Sequence, residues 1–351
     1  MKKLLLASTA LIMSAGVAAA DVALSGDARM GLIYDGNDVQ MTSRARVTFT
    51  LSGETDTGLA FGASFRADQA GFAANGNTAM TGGTVFISGD FGKLTMGDVG
   101  SAARAAVGDL HGVGLTGLGD GNEMYYLDRD VQPFVPAFNI SSNFTGLDRR
   151  TAALYEYSID GFTGYAYVGQ NRVVRFTPLV PDTGGLTRST DQMVALGAKY
   201  TFDGFTGAVG YERVRSTNKF DTIGGVATPD ATFTANHLIA SVAYNFEGIE
   251  VKAIAGRASG NLGTALSADP GARRSQYGIS ASGTFDDVTV SAYAHRAYQG
   301  WTNMGIGASY DLGGGASVVG GIARLGGQNT AGSIFNRART TQADLGLAFT
   351  F

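Results

Sequence analysis

The stretch "KYTFDGFTGAVGY", Lys199 to Tyr211, places an aromatic pair, an acid and a glycine between two alternating apolar runs. The formula recurs in "YSIDGFTGYAYV" from Tyr157, "YNFEGIEVKAIAG" from Tyr244, "GTFDDVTVSAYA" from Gly283 and "SYDLGGGASVVGG" from Ser309. Acid-glycine pairs between alternating segments are the chemistry of tight hairpin turns, where the backbone needs positive φ. A repeated hairpin signal makes the chain a succession of antiparallel strands.

The flanking segments support this. Apolar side chains recur at every second position, the period of a strand with two different faces. In "DVALSGDARMGLIY" one face carries Val22, Leu24, Met30, Leu32 and Tyr34, and the other Ser25, Asp27 and Arg29. In "SRARVTFTLS" Val47, Phe49 and Leu51 oppose Arg44, Arg46, Thr48 and Thr50. "LAFGASFRAD" sets Leu59, Phe61, Ala63 and Phe65 against Ser64, Arg66 and Asp68, and the terminal "ADLGLAFTF" alternates to Phe351.

Short turn signals fall at "SGETDTG" (Ser52 to Gly58), "SGDFGK" (Ser88 to Lys93), "IDGF", "FDGF", "FEGI", "FDDV" and "DLGGGA". These seven turns join fourteen strands, and the first and last segments bring the count to sixteen. Longer polar stretches separate the hairpins, roughly at 35–42, 68–83, 98–150, 170–190, 215–235, 258–275, 297–302 and 325–341. Short and long connections alternate, so the short ones lie at one end of the sheet and the long ones at the other.

Composition narrows the class. The 351 residues include 52 Gly, 6 Pro and no Cys. Glycine at roughly twice its usual share, interleaved with Phe, Tyr, Val, Ile and Thr, belongs to sheet rather than linker. The formal charge of −4 excludes a strongly basic nucleic-acid surface. "MKKLLLASTALIMSAGVAAA" has a basic start, an apolar stretch and a small-residue end, the order of a secretory signal peptide over residues 1–20, cut before Asp21. As a membrane-spanning anchor it is short and weakly apolar for a core of roughly 30 Å. Removing Lys2 and Lys3 with it takes the charge from −4 to −6. An exported chain without cysteine or a long apolar run enters a membrane, if at all, as strands.

These features predict an all-β fold, a 16-stranded antiparallel transmembrane β-barrel over residues 21–351, with short periplasmic turns and long external loops. A soluble sandwich is the alternative. It would have to bury one face of every strand, whereas here the second face carries arginines, serines and threonines suited to a wet lumen. Closure follows, because lipid tolerates no open edge of unpaired N–H and C=O groups. Tyr155, Tyr157, Tyr200, Phe202, Tyr244, Phe246, Phe285, Tyr310, Phe349 and Phe351 fall near short turns and are assigned to a periplasmic aromatic girdle.

One connection stands out: residues 98–150 are too long for an ordinary hairpin loop, and such loops are usually functional. Their leucines, tyrosines and phenylalanines need something to pack on, which predicts an ordered loop folded into the barrel. Parity puts Arg29, Arg44, Arg46 and Arg66 on the lumen face of the first three strands. One arginine on the lipid face at mid-membrane would cost about 2 to 4 kcal/mol.

"LSGDARMGLIYDG", "SRARVTFTLSGETDTGLAFGASF", "GTVFISGDFGKLTMGD", "GDL" at Gly108 to Leu110, "GASYDLGGGASVVGGIA" and "ADLGLAFTF" resemble the general diffusion porins of alphaproteobacteria, the Rhodobacter-type family. The resemblance runs from the mature start to the final phenylalanine, weakening in mid-chain and in several external loops. It implies a homotrimer of sixteen-stranded barrels in the outer membrane, in contact with lipid and lipopolysaccharide. The third external loop would fold inward to make an eyelet, through which small hydrophilic solutes diffuse without catalysis. By the family pattern Arg29, Arg44, Arg46 and Arg66 form its basic side, and Asp98, Asp109, Asp120, Glu123 and Asp128 its acidic side. Small residues such as Gly26, Ala28, Gly31 and Ala63 would permit close packing of barrel walls.

The family pattern also implies calcium among loop carboxylates. Here Gly112, Gly117 and Gly119 thin out the acids, and Arg104, Arg129 and His111 add basic groups, which weakens both calcium binding and strong cation selectivity. No other cofactor is implied. His111, His237 and His295 lack metal-ligand spacing and are read as girdle or loop residues. No serine sits in a nucleophile elbow, and "GLGDGNE" lacks the Lys-Ser/Thr of a phosphate loop. Two other functions stay open: a substrate-selective channel, hinted at only by Tyr125 and Tyr126, and a barrel enzyme or adhesin.

Overall fold

A computed structural model describes residues 21–70, 78–80, 82–128, 151–175, 186–220, 231–260, 275–298, 300–327 and 339–351. The signal-peptide expectation and the second half of the long loop, including Arg129, lie outside them.

Seventeen strand segments form one sheet: β1 (Asp21–Tyr34), β2 (Val39–Glu54), β3 (Ala60–Ala70), β4 (Thr78–Met80), β5 (Thr84–Gly89), β6 (Gly92–Gly97), β7 (Ala152–Ile159), β8 (Phe162–Arg175), β9 (Leu186–Phe202), β10 (Phe205–Phe220), β11 (Ala231–Phe246), β12 (Ile249–Gly260), β13 (Ser275–Phe285), β14 (Val288–Arg296), β15 (Thr302–Gly313), β16 (Ala316–Leu325) and β17 (Thr340–Thr350). The short β4 and β5 both pair with β3 as one interrupted strand, so the barrel has sixteen staves. Every neighbouring pair is antiparallel. β1 pairs on one side with β2 and on the other with β17, in register from Asp27↔Thr350 to Tyr34↔Ala343, which closes the cylinder. Gly26 and Phe351 exchange both backbone hydrogen bonds, at 3.2 and 2.9 Å.

All seven predicted turns are hairpins. In three of them both central residues have positive φ: Asp160-Gly161 (46°, 79°), Asp203-Gly204 (45°, 76°) and Glu247-Gly248 (49°, 85°). This is the turn whose twist matches the strands it joins, and it explains the acid followed by glycine.

Other boundaries differ from the sequence reading. The stretch 35–42 is half strand: Asp35 to Asp38 make a tight turn in which the Asp35 carboxylate accepts the Asn37 and Asp38 N–H groups at 2.8 and 3.0 Å, and β2 starts at Val39. The polar ends of β8 to β11 likewise continue as strand beyond the expected limits, because ladder pairing outweighs polar composition there.

The exterior is apolar. Val22, Leu24, Met30, Leu32, Val39, Met41, Val194, Leu196, Leu238, Val242, Ile279, Ile306 and Leu345 are all exposed. The buried side chains are instead inside the cylinder, where the long loop meets the wall.

Candidate functional site: the constricted lumen

The described part of the long loop enters the barrel through helix α1 (Ala102–Val107) and a 3-10 turn, η1 (Leu118–Asp120). Ser101 caps α1, its hydroxyl accepting the Arg104 N–H at 3.2 Å. The helix buries Ala102, Ala103, Ala106 and Val107 against lumen-facing positions occupied by glycine. A Cβ at Gly210 would lie 2.5 Å from the Ala103 Cβ, and one at Gly197 2.8 Å from the Ala106 Cβ. Further along, Cβ atoms at Gly278, Gly305 and Gly321 would lie 2.5 to 2.8 Å from Leu110, Val113 and Gly114. The glycine abundance thus serves more than turns: it cuts a shallow bed in the wall for the loop.

Gly31 belongs to this bed. Its Cβ position is 2.8 Å from Leu115 Cδ2, so it faces the lumen and cannot contribute to packing between barrels. Alternation along β1 leaves Gly26 and Ala28 on the outside.

Polar hooks on the wall fasten the loop. Glu212 on β10 is fully buried and accepts the Ser101 hydroxyl at 2.5 Å, the Leu127 N–H at 2.9 Å and His237 Nδ1 at 2.7 Å. Gln276 on β13 brackets Tyr125, accepting its N–H at 2.9 Å and donating to its carbonyl at 2.8 Å. Asp344 on β17 accepts the Leu115 N–H, the Thr116 N–H and the Thr116 hydroxyl at 2.9, 2.6 and 2.7 Å. Lys252 donates to the Asp109 carbonyl at 2.9 Å. Buried charges are tolerated when hydrogen bonds satisfy them, and breaking such a set is costly.

Two histidines differ from the sequence reading. His237 and His295 are buried on the lumen face of β11 and β14, neither at a girdle nor in a loop; His295 Nδ1 lies 3.2 Å from the Gly121 carbonyl. Only His111 is a loop residue, 3.1 Å from Glu250. Alternation could have placed all the hooks inside; it could not show which of them the loop covers.

The four arginines project inward from adjacent strands. Arg29 donates to the Leu115 carbonyl at 3.1 Å, Arg44 pairs with Asp27 at 2.7 Å, and Arg46 and Arg66 share Asp68 at 3.3 and 2.5 Å. Four guanidinium groups against two carboxylates leave this wall positive.

The five loop acids do not form one row. Asp109, Glu123 and Asp128 gather around Arg104 of the same loop, at 3.3, 3.5 and 3.9 Å. Burial opposes charge on that guanidinium, but the three carboxylates outweigh it and raise its pKa above the usual arginine value. Arg104 also lies 5.2 Å over the ring of Tyr126, whose hydroxyl donates to the Gly108 carbonyl at 2.6 Å. Tyr126 is therefore a strut of the loop rather than a rung for sugars. Asp120 stands apart on η1, where burial raises its pKa against the opposing pull of Arg29 and Arg44. Asp98 sits at the root of the loop, its N–H on the Gly83 carbonyl at 3.1 Å.

The loop acids therefore do not fit a calcium ion: where three of them meet, a guanidinium occupies the centre. Among the described residues no group of three or more His, Asp or Glu side chains is arranged to hold a metal.

A closed barrel with an apolar outside, a polar inside and a loop fastened across its lumen is a membrane channel with a built-in constriction. Comparison with known proteins agrees. The sequence profile of the Gram-negative porin family matches residues 7–330. A curated porin of Rhodobacter capsulatus is 37% identical over 325 residues, covering 86% of this chain and 94% of that one. A porin structure refined at 1.8 Å superimposes with a TM-score of 0.66 at 34% identity, over 94% of this chain and all of that one. A Rhodopseudomonas blastica porin variant, 22% identical with a TM-score of 0.58 over 94% of this chain and all of the other, shares the fold. The chain belongs to the Gram-negative porin family, whose members are outer-membrane diffusion channels and not enzymes.

Proposed function

We propose that the passive path for small hydrophilic solutes narrows between the arginine wall of β1 to β3 and the free edge of the inward loop. Arg29, Arg44, Arg46 and Arg66 supply its basic side. Asp120 supplies the facing charge, with Asp98 at the loop root and Asp109, Glu123 and Asp128 tempered by Arg104. The observation that carries this reading is the partition of the lumen: the loop hangs on β10, β13 and β17 through Glu212, Gln276 and Asp344, and from the β1 to β3 side Arg29 reaches it at Leu115.

Opposite charges about 8 Å apart attract by about 2 kcal/mol at an effective dielectric near 20, and salt screens over about 8 Å. Such a field biases ions without sealing the pore, giving weak, salt-sensitive selectivity. The exposed aromatic residues Tyr155, Tyr157, Tyr200, Phe202, Tyr244, Phe246, Phe285, Tyr310 and Phe351, with the half-buried Phe349, make the periplasmic girdle in this reading. Gly26, Ala28 and Ala63 on the outer face suit close contact between copies in a trimer, and the rest of the exterior meets lipid and lipopolysaccharide. The first twenty residues act as the export signal.

Reconstitution in planar bilayers tests the reading. Large, nearly ohmic steps with a small reversal potential that shrinks as salt rises are expected. A protein that inserts and conducts nothing, or whose current saturates with one solute, overturns it.

A further inference from the structure

The three histidines of the chain differ in what a second ring proton would do. His111 lies 3.1 Å from Glu250, and a proton there strengthens the pair. His295 turns Nδ1 to the Gly121 carbonyl, and its Nε2 meets no hydrogen-bond partner among the described residues, so protonating that atom breaks no bond. His237 is engaged at both ring nitrogens.

Its partners leave His237 one tautomer. Gln276 accepts the Tyr125 N–H through Oε1 at 2.9 Å and donates to the Tyr125 carbonyl through Nε2 at 2.8 Å. A backbone N–H only donates and a carbonyl only accepts, so this amide cannot be turned over without losing both bonds. Gln276 Nε2 carries a second hydrogen, and 3.3 Å away lies His237 Nε2. That nitrogen must present its lone pair, which leaves the ring proton on Nδ1, 2.7 Å from Glu212 Oε2.

The wall is shaped for this approach. Glu212 and His237 are opposite each other on the ladder of β10 and β11, and Gly256 and Gln276 on that of β12 and β13. A Cβ at Gly256 would lie 2.8 Å from His237 Nε2 and 3.1 Å from Gln276 Nε2, so glycine there lets the ring reach across β12. No more than 1% of Glu212, His237 or Gln276 is exposed. Tyr126 of the loop and Tyr298 after β14 flank the ring, each 5.9 Å from its centre. The charge that meets the ring directly is Glu212 on β10, while β12 and β13 face it with Gly256 and the neutral Gln276. Arg104, with Asp109, Glu123 and Asp128 about it, lies over the Tyr126 ring in turn.

We propose that His237 is a positioning residue that latches the constriction loop, its bare Nε2 holding Gln276 on the Tyr125 backbone, and that acid opens this latch. Glu212 attracts a second proton to the ring, and that proton turns Nε2 into a donor aimed at the Gln276 amide. Two donors then face each other in a site closed to solvent. Gln276 can accept from His237 only by turning over, which gives up both Tyr125 bonds. The Ser101 and Leu127 bonds to Glu212 persist, so the loop loosens at Tyr125. The inference rests on the reading of this loop as the constriction.

The test uses the full protein purified in detergent with isotope-labelled histidine, and planar-bilayer recordings of the same preparations, between about pH 8 and about pH 5. Ring-nitrogen spectra should show His237 as the neutral Nδ1–H form in base and doubly protonated in acid. Over that interval the protection of the Tyr125 N–H against hydrogen exchange, corrected for the intrinsic effect of pH, should fall about tenfold, the factor for one lost hydrogen bond. Open-channel noise should rise with it.

His237→Gln cannot gain the proton and should lose this transition, whereas His111→Gln should keep it. Gln276→Glu accepts at both oxygens and should draw the second proton onto His237 already in base. An Nε2–H tautomer in base, unchanged Tyr125 protection in the wild type, or a transition that survives in His237→Gln overturns the proposal. Should the variants not fold, the wild-type spectra and exchange decide alone. A conducting protein whose His237 keeps one protonation state would sink the latch and leave the constriction standing. A silent protein that shows the acid transition would do the reverse.

Discussion

The carboxylate of Glu212 accepts the hydroxyl of Ser101 at 2.5 Å, although the two residues are 111 positions apart. Through this bond the tenth strand segment takes hold of the N-cap of the only α-helix among the described residues. Its second oxygen takes Leu127 N–H and His237, so one buried acid fixes both ends of the described loop.

Replacing Glu212 with Ala should therefore free the loop. Each buried donor left unsatisfied costs about 1 to 3 kcal/mol, and two of the three donors belong to the loop. Single channels should be noisier and conduct more, and protease should cut between Ser101 and Leu127 faster. A variant with quiet, wild-type steps would show that the loop holds without this hook.

Gly210→Val places a branched side chain where the Ala103 Cβ sits. Overpacking of this kind costs about 1 to 3 kcal/mol, and α1 can move whereas the ladder cannot. The barrel should keep its strand content, read by circular dichroism, while conductance changes.

Arg104→Gln removes the cation shared by Asp109, Glu123 and Asp128. Removing one partner of a buried ionic group costs about 3 kcal/mol, and the liberated carboxylates should move the reversal potential toward cations. The opposite wall offers the control: replacing Arg44 and Arg46 together by Glu should shift selectivity in the same direction, while Asp27 and Asp68 lose their partners. An unchanged reversal potential in either variant would remove that group from the constriction.

Asp120 sets the acid side of the pH response. Its folded pKa is raised above the ordinary 3.8, by burial first. A raised value contributes stability that is full below the unfolded pKa and lost as pH rises through the folded one, so at neutral pH this carboxylate loosens the loop slightly. Lowering the pH should neutralise it before ordinary carboxylates, and anion preference should begin to rise above pH 3.8. Asp120→Asn should remove that early phase without lowering the melting temperature.

The barrel was legible in the chain because strand periodicity is local. Each side chain's face follows from counting by two, and a misplaced arginine on the lipid side is expensive enough to forbid a slipped register. Acid-glycine pairs marked three of the short hairpins for the same local reason, a φ that few residues adopt cheaply. The same counting put Arg29, Arg44, Arg46 and Arg66 inside. It also set Gly31 inside, against its assignment to an outer contact, because a glycine leaves no apolar mark by which its face can be noticed.

The arrangement across the lumen has no such local rule. Asp109, Glu123 and Asp128 look like lumen acids in the sequence, yet Arg104 draws them together. Glu212, His237, Gln276 and Asp344 look like ordinary wet-face residues, yet the loop covers them. Which inward residue meets which loop atom depends on how the closed cylinder brings segments up to 229 positions apart into contact, as in the bond from Leu115 N–H to Asp344. Faces are a property of the strand, whereas partners across the pore exist only once the first and last strands have paired.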